Sequence, residues 1–419
     1  MFTVIPRKRP AVVPGLGRHT ARHLWRGTLR EGPDAAQFEA TLSERLEGRH
    51  VRAVGSGRLA LLLVLDALDI QPPATVIVPA YTASCVPNVL QAAGYTLYFV
   101  DIDSDTLHLD TGLLETNAPP DGARAVLATH IEGSPLNIRR LKAWAEANGV
   151  AVIEDAAHAL GATLNGHPVG SLGEGAIFSL GRGKHLYTLG GGLAVVSSPE
   201  AAERLNRRVD ALPCASSAEL LKSVVMEGIV ETGTAPALFG TLALPVMRIA
   251  RRFGADPMTR LFEDDKSALA AIPEPMRRRL SNLQARFGLE ALAEFDRNLE
   301  RRREHGRALG QELSGHLTLQ RPVEDADPAW LEMTVQVDNR DDFQAALLSR
   351  GVDTQRTWMD ACADLPAFES ALGAPCPVAR EVANRAVYLP TYAALSDRQR
   401  QEMVRHVLEV VAKTQETAS

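Results

Sequence analysis

The spacing of apolar residues differs between regions of the chain. From about residue 52 to residue 198, short runs rich in Val and Ile alternate with longer stretches of helical periodicity. This alternation is typical of βαβ units around a mainly parallel sheet, whose functional loops lie at the carboxyl ends of the strands. The pattern predicts helices at residues 58–68 and 137–148. It predicts strands at residues 76–79, 96–100, 125–128, 151–153, 175–179 and 193–197.

Beyond this region the pattern becomes helical and more charged. Residues 282–313 read as one long helix with an apolar stripe that includes Leu283, Phe287 and Leu299. A strand at 333–337, a helix at 340–349 and a last helix from Ser396 to about residue 414 follow. We therefore predict an α/β fold with a large domain at residues 1–275 and a smaller C-terminal α+β domain at residues 276–419.

Residues 213–271, between these two regions, form a segment of unusual composition. Its segment 235–247 has no charge and is followed by Arg248, Arg251 and Arg252. The segment is too short for a membrane-spanning helix, which needs about 20 apolar residues. We predict a buried or dimer-facing helix, and membrane contact by residues 235–252, with arginines on lipid phosphates, is the less favoured alternative.

Composition excludes several classes of protein. The chain has 419 residues, 45% of them hydrophobic, and a formal net charge of -6, so it has no basic field that would attract nucleic acid. The four cysteines lack metal-ligand spacing, which fits a reducing compartment and predicts no metal site. The N-terminus has no long apolar stretch. We expect a cytoplasmic protein.

A pair of carboxylates ends one predicted strand. Glu154 and Asp155 follow the apolar residues 151–153, and small residues come next. A buried carboxylate at a strand end needs a cationic or hydrogen-bonding partner, because leaving it unpaired costs several kcal/mol. A protonated pyridine nitrogen is one such partner. A metal ion and a helix N-terminus remain alternatives.

A lysine stands in the glycine-rich segment 170–192. Lys184 is flanked by Gly181, Gly183 and the glycine run 190–192. Small neighbours let a ligand approach the backbone, and a partly desolvated lysine has a lowered pKa suited to forming a Schiff base. A phosphate loop is a weaker interpretation, because the Walker A spacing is missing. A simple exposed lysine is the other alternative.

A third motif is typical of anion binding. Gly55, Ser56 and Gly57 directly precede a strongly apolar predicted helix, so backbone N–H groups and the positive end of the helix dipole face whatever lies there. A phosphate fits, with Ser56, Ser179 and Arg58 as further donors. The alternative is a tight turn in which Ser56 only caps the helix.

Many ordered blocks of the chain resemble one family. They are GPDAAQFEATLSERL, Ser56-Gly57, VIVPAYTAS, FVDIDSDTLHLD, EDAAHALGA, GSLGEGAIFS, Lys184, RLSNLQARFGLEAL and VYLPTYAALSDRQ. Together they resemble the DegT/DnrJ/EryC1/StrS family of fold-type I pyridoxal-phosphate enzymes, best known as sugar aminotransferases. The resemblance implies a large domain with a mainly parallel, seven-stranded sheet between helices, and a smaller C-terminal α+β domain.

The resemblance also implies roles for individual residues. Lys184 would hold pyridoxal 5'-phosphate as a Schiff base and shuttle protons, and Asp155 would keep the pyridine nitrogen protonated, which makes the ring an electron sink. His158 would lie against the ring. The residues implied at the cofactor phosphate are Ser56, Gly57, Arg58, Ser179 and Arg277.

Four positions depart from the family pattern. Arg58 replaces a small hydroxyl residue, and Ala83 stands where an aromatic ring commonly stacks on the cofactor. Glu132 lies in the loop where the family reads H-x-Y-G-Q. Arg277 stands where an asparagine reaches the phosphate of the neighbouring subunit's cofactor, a contact that arginine can make in a bidentate way.

The leading hypothesis is therefore a cytoplasmic, homodimeric aminotransferase. Its amino donor would be glutamate and its acceptor a nucleotide-linked keto sugar in glycan or secondary-metabolite biosynthesis. One alternative keeps the fold and cofactor but takes a non-nucleotide or lipid-linked sugar or a cyclitol. Another is a non-catalytic regulatory paralogue in which Arg58, Ala83 and Glu132 have degraded the cofactor site.

Overall fold

The computed structural model describes residues 4–8, 13, 15–233, 269 and 273–418. The prediction for residues 235–252, a buried helix or a membrane contact, lies outside them. Among the helices of the described residues, none combines the length and apolar character needed to cross a bilayer. The α-helices are α1 Leu16–Arg26, α2 Pro33–Arg45, α3 Gly57–Ala67, α4 Cys85–Ala92, α5 Thr111–Thr116, α6 Ile138–Asn148, α7 Pro199–Asp210, α8 Ser217–Gly233, α9 Asn282–Leu292, α10 Phe295–Leu313, α11 Arg340–Ser349, α12 Pro377–Arg385 and α13 Asp397–Ala418.

The strands are mostly short and include several two-residue pairings. They are β1 His50–Val54, β2 Thr75–Pro79, β3 Tyr81–Thr82, β4 Thr96–Val100, β5 Ala123–Thr129, β6 Ala151–Asp155, β7 Thr163–Leu164, β8 His167–Pro168, β9 Gly175–Ser179, β10 Gly192–Val196, β11 Thr318–Leu319, β12 Ala326–Asp327, β13 Glu332–Gln336, β14 Gln355–Arg356, β15 Asp360–Ala361, β16 Leu372–Gly373 and β17 Ala386–Pro390.

The main sheet has the strand order β1-β10-β9-β6-β5-β2-β4-β16. Neighbours from β9 to β16 run parallel, whereas β10 is antiparallel to both β1 and β9. The expected seven strands are thus present, with the two-residue β16 added at one edge. Each predicted strand lies within two residues of an observed one, and the predicted α/β fold is confirmed.

The second sheet is antiparallel, and its strands lie between residues 318 and 390. Its order is β11-β13-β17-β14. Ile5 pairs with the same region, since its N–H donates to the Gly351 carbonyl and its carbonyl accepts from the Asp353 N–H, each at 2.9 Å. The Arg7 guanidinium pairs with Asp353 at 2.7 Å, and both side chains are buried. The predicted domain boundary at residue 275 stays a prediction.

The prediction of a single long helix over residues 282–313 is wrong. The structure has two helices, α9 and α10, separated at Ala293 and Glu294. The break lets Leu292 and Phe295 reach the same apolar cluster from different helices. Gly161 makes the contact close, because a Cβ there would lie 2.7 Å from the Leu299 side chain. Tertiary packing therefore outweighed the helical periodicity of the segment.

Candidate active site

The carboxyl edge of the main sheet borders a cavity of about 400 Å³. Strands β5, β6 and β9 run parallel and end at Thr129, Asp155 and Ser179, each of which lines the cavity. The turn after β1 brings in Ser56 and Gly57 from a fourth strand. A cavity of this size at the carboxyl ends of parallel strands is the expected position of a ligand site in an α/β fold.

The structure brings together all the predicted site residues except one. The residues that line the cavity are Ser56, Gly57, Arg58, Asp155, His158, Ser179 and Lys184. Arg277 does not line it; this residue follows the short turn Glu274–Met276 and is exposed. Its expected role concerned a neighbouring subunit and stays a prediction.

Lys184 has the electrostatics of a reactive amine. Its partly buried side chain lines the cavity, and desolvation together with repulsion from Lys8 lowers its pKa to about 8. Glu132 and Asp155 act in the opposite direction. A lysine with this pKa is partly neutral near physiological pH, so its Nζ can act both as a nucleophile and as a proton carrier.

Asp155 offers a carboxylate to the cavity. It is only 5% exposed, and its Oδ1 accepts a hydrogen bond of 3.1 Å from the Ala157 N–H. Within the described ranges, no Lys, Arg or His nitrogen forms an ion pair with it. A nearly buried carboxylate without a cation is costly, so the arrangement suits a ligand that brings a positive charge of its own.

Ser56 and Gly57 place a helix N-terminus at the cavity. The Ser56 hydroxyl accepts from the Leu59 N–H at 3.1 Å, so Ser56 is the N-cap of α3. Gly192 lets β10 come close, because a Cβ there would lie 2.4 Å from the Gly57 nitrogen. Ser56 can cap the helix while the turn also binds an anion, since the remaining N–H groups of the first turn stay available to a phosphate.

His158 is paired with a carboxylate that sequence reasoning had treated only as a departure. Glu132 Oε1 lies 3.2 Å from His158 Nδ1, and the Tyr388 hydroxyl donates to the same oxygen at 2.5 Å. Glu132 is 1% exposed and has a left-handed backbone with φ of 50°. We name Glu132 and His158 the cavity pair.

A second Glu–His pair lies one strand away. Glu154 is fully buried and accepts hydrogen bonds from His130 Nε2 at 3.1 Å and from three backbone N–H groups, those of Gly170, Leu172 and Gly173. His130 Nδ1 accepts from a backbone N–H, so its proton resides on Nε2. We name Glu154 and His130 the scaffold pair. Glu154 therefore holds the loop after β8, and not a ligand.

Lys8 and Trp358 are among the cavity residues that the sequence did not indicate. Lys8 lines the cavity, with its Nζ 3.3 Å from Glu332 Oε1 and 3.9 Å from the ring centroid of Trp358. Trp358 lines the cavity as well, and so does Ala83. The aromatic surface that Ala83 lacks is thus supplied from far along the chain. Neither Lys8 nor Trp358 stands in a motif that could have identified it.

Comparison with known proteins agrees with this architecture. The sequence profile of the DegT/DnrJ/EryC1/StrS aminotransferase family matches residues 18–219 and 246–408. The dTDP-3-amino-3,4,6-trideoxy-alpha-D-glucose transaminase of Streptomyces venezuelae is 30% identical over 337 residues, which cover 80% of this chain and 75% of that protein.

Another relative matches over a shorter region. The spore coat polysaccharide biosynthesis protein SpsC of Bacillus subtilis is 35% identical over 179 residues, or 43% of this chain and 46% of that protein. The match thus spans about half the length of this relative.

A solved structure extends the likeness to nearly the whole chain. DesV from S. venezuelae, crystallised in complex with a ketimine intermediate, superposes with a TM-score of 0.72 at 27% identity and covers 94% of both chains. The expected family and enzyme class are both confirmed. The chain belongs to the DegT/DnrJ/EryC1/StrS aminotransferase family and is an aminotransferase.

Proposed function

We propose that the protein is a pyridoxal 5'-phosphate-dependent aminotransferase that transfers an amino group from glutamate to a nucleotide-linked keto sugar. One observation carries the proposal: Lys184, Asp155 and the Ser56-Gly57 helix N-terminus line the same cavity. An amine, a carboxylate that forms no ion pair within the described residues and a helix N-terminus match the aldehyde, the pyridine nitrogen and the phosphate of this cofactor.

When bound, pyridoxal phosphate supplies a carbonyl that condenses with amines and a ring that withdraws electrons. Lys184 would be the attachment point of the cofactor, and its Nζ would accept and return the proton that moves during amino transfer. Asp155 would pair with the ring nitrogen and keep it protonated. Ser56, Gly57 and Ser179 would hold the phosphate, with Arg58 beside them on the cavity wall.

The substrate assignment draws on charge and on the relatives. Besides Lys184, the side chains of Lys8, Arg58 and Arg182 bring positive charge to the cavity wall, and cations suit both the carboxylates of glutamate and the diphosphate of a nucleotide sugar. The Streptomyces venezuelae relative is named for a dTDP-linked amino sugar. A nucleotide-linked acceptor is therefore the first to test. We further propose a cytoplasmic homodimer, in which Arg277 reaches the partner's cofactor phosphate.

The first experiment identifies the lysine. Purified protein is loaded with pyridoxal phosphate, its visible absorbance is recorded, and the bound cofactor is fixed with borohydride before peptide mass spectrometry. We expect the visible band of lysine-bound cofactor and an adduct on the peptide that contains Lys184. The band disappears in Lys184→Ala and persists in Lys8→Ala, a matched control from the same cavity.

The second experiment identifies the reaction. Glutamate added to the loaded enzyme should bleach the visible band, and a keto sugar linked to a nucleotide should restore it. A free keto sugar, a lipid-linked keto sugar and a keto cyclitol serve as comparison acceptors. Restoration by one of these alone would replace the acceptor in the proposal. If the wild type forms no visible band at saturating cofactor, the regulatory-paralogue alternative takes its place.

A further inference from the structure

The cavity pair is part of a longer buried network. The Tyr388 hydroxyl that donates to Glu132 lies 2.8 Å from Thr357 Oγ1, and Thr357 Oγ1 lies 2.8 Å from the Tyr81 hydroxyl. These side chains are all nearly inaccessible to solvent. The network therefore joins β17 of the second sheet to β3 beside the cavity.

The carboxylate fixes the direction of this network. An ionised carboxylate can only accept, so Tyr388 must donate to Glu132. Tyr388 then accepts from Thr357, and Thr357 accepts from Tyr81. Burial acts to raise the pKa of Glu132, but the attraction of His158, the hydrogen bonds from His158 and Tyr388 and the charge of Lys184 together bring that pKa below its ordinary value. Glu132 is therefore charged at neutral pH.

The loop that carries Glu132 is held tightly. The Glu132 carbonyl accepts from the Leu331 N–H at 2.9 Å, and the Gly133 carbonyl accepts from the Ala329 N–H at 2.8 Å. A Cβ on Gly133 would lie 2.9 Å from the His158 carbonyl. A glutamate in the left-handed region is strained and persists only where its surroundings hold it. This strain points to a function for the side chain.

We propose that Glu132 is a positioning residue: its carboxylate holds His158 in the tautomer protonated at Nδ1 and places a negative charge beside Lys184. The consequence for catalysis rests on the proposed function, whereas the tautomer does not. With Nδ1 occupied, His158 keeps Nε2 as a hydrogen-bond acceptor. The titratable groups that face His158 are Lys184, Glu132, Asp155 and His185.

Glu132 also has an unused hydrogen-bond acceptor. Its Oε2 is buried and has no hydrogen-bond partner within the part of the chain that the structure describes. Glu154 of the scaffold pair uses both of its oxygens. An orphaned carboxylate oxygen is costly, and the attraction of Lys184 is one of the interactions that keep Glu132 ionised.

The tautomer is measured by nitrogen NMR of histidine-labelled, cofactor-free protein. The His158 signals are assigned by their loss in His158→Gln. We expect a protonated Nδ1 and an unprotonated Nε2 in the wild type, and loss of this preference in Glu132→Leu, which removes both acceptor oxygens. Tyr388→Phe keeps the carboxylate and should keep the tautomer. A wild type protonated at Nε2, or a Glu132→Leu variant with the wild-type tautomer, would overturn the proposal.

The charge is measured by the pH titration of the visible band in the cofactor-loaded enzyme. Because the carboxylate favours the protonated form of the neighbouring nitrogen, Glu132→Gln should lower the pH midpoint by about one unit. Glu154→Gln is the matched control, an equally buried carboxylate that does not face Lys184, and its midpoint should not move. An unchanged midpoint in Glu132→Gln would contradict the second half of the proposal. Absence of the band in the wild type would instead reject the proposed function and leave the tautomer result standing.

Discussion

The scaffold pair and the cavity pair use the same two residue types for different ends. Glu154 receives a histidine and three backbone N–H groups and has no capacity left. Glu132 receives a histidine and a tyrosine on one oxygen, and the other oxygen lacks a partner within the described residues. In the scaffold pair the hydrogen bonds of the carboxylate hold a loop, whereas in the cavity pair the carboxylate keeps a charge that can act on a ligand.

The comparison shows that burial alone does not identify a functional carboxylate. In both pairs burial acts to raise the pKa of the glutamate, and in both the partners lower it again. The two differ in surroundings, because Lys184 acts on Glu132 and backbone N–H groups act on Glu154. An unused acceptor that interacts electrostatically with a lysine of lowered pKa is the better indicator of chemistry.

The largest expected effect is on the scaffold pair. Glu154→Gln replaces one acceptor oxygen by a donor that faces N–H groups, so we expect a loss of about 3 kcal/mol in the free energy of unfolding. Chemical denaturation at pH 7 measures it. Glu132→Gln, the corresponding change in the cavity pair, should lose clearly less. Equal losses would remove the distinction between the pairs.

Lowering the pH should reduce the difference in the free energy of unfolding between the wild type and Glu154→Gln. The pKa of Glu154 in the fold lies below its ordinary value near 4.5, so its contribution to stability is present above that value. The contribution is lost as the pH falls through the lower pKa of the folded state. Unfolding measured from pH 7 downward should show the wild type approaching the variant.

The next largest effect is expected on activity, from the replacement of His158. His158→Ala removes the ring proposed to lie against the cofactor, and we expect kcat/KM to fall about 100-fold, equal to about 2.7 kcal/mol. The free energy of unfolding should change little in comparison. His130→Ala should do the reverse and mainly destabilise the fold. Steady-state kinetics and denaturation of both variants test the contrast.

A smaller effect, on the pKa of Lys184, is expected from a change at Lys8, the other lysine that lines the cavity. Lys8→Met removes a positive charge that lowers the pKa of Lys184, so that pKa should rise from about 8 by about one unit. The pH dependence of amine modification in the cofactor-free protein measures it. Lys142→Met is the control, since Lys142 pairs with Glu174 at 3.7 Å outside the cavity. A shift in the control would point to a general effect of net charge.

The smallest effect concerns the hydroxyl next to Glu132. Tyr388→Phe removes a donor to Glu132 and an acceptor for Thr357, and we expect a loss of about 1 kcal/mol in the free energy of unfolding. Thermal unfolding measures it. A loss as large as that of Glu154→Gln would show that the cavity pair depends on the network as strongly as the scaffold pair depends on its backbone donors.

The main sheet and half of the site could be predicted because both depend on local patterns. Strands such as β9 follow from runs of apolar residues, and the carboxyl-end rule then placed Asp155 and Ser179 at one edge. The glycine-rich segment around Lys184 is also local. The family resemblance added the roles, which the cavity supports by bringing these residues together.

The rest depended on contacts between distant parts of the chain. Lys8 reaches the cavity because the neighbouring Arg7 is fixed to Asp353, and it contacts Trp358. Glu132 was visible as a departure, but its contact with Tyr388 spans a sequence separation of 256 residues. The break between α9 and α10 likewise came from packing and not from periodicity.

The ion pair between Arg7 and Asp353 also sets an order of events during synthesis. Arg7 leaves the ribosome 346 residues before Asp353, the residue that fixes it. At roughly 5–20 residues per second, the start of the chain waits about 17 to 70 s for its partner. Strand β6, which ends at Asp155, and the loop after β9 that carries Lys184 are translated long before then. Lys8 is therefore fixed in place only after residue 353 has been translated, and its charge acts on the pKa of Lys184 only from that point.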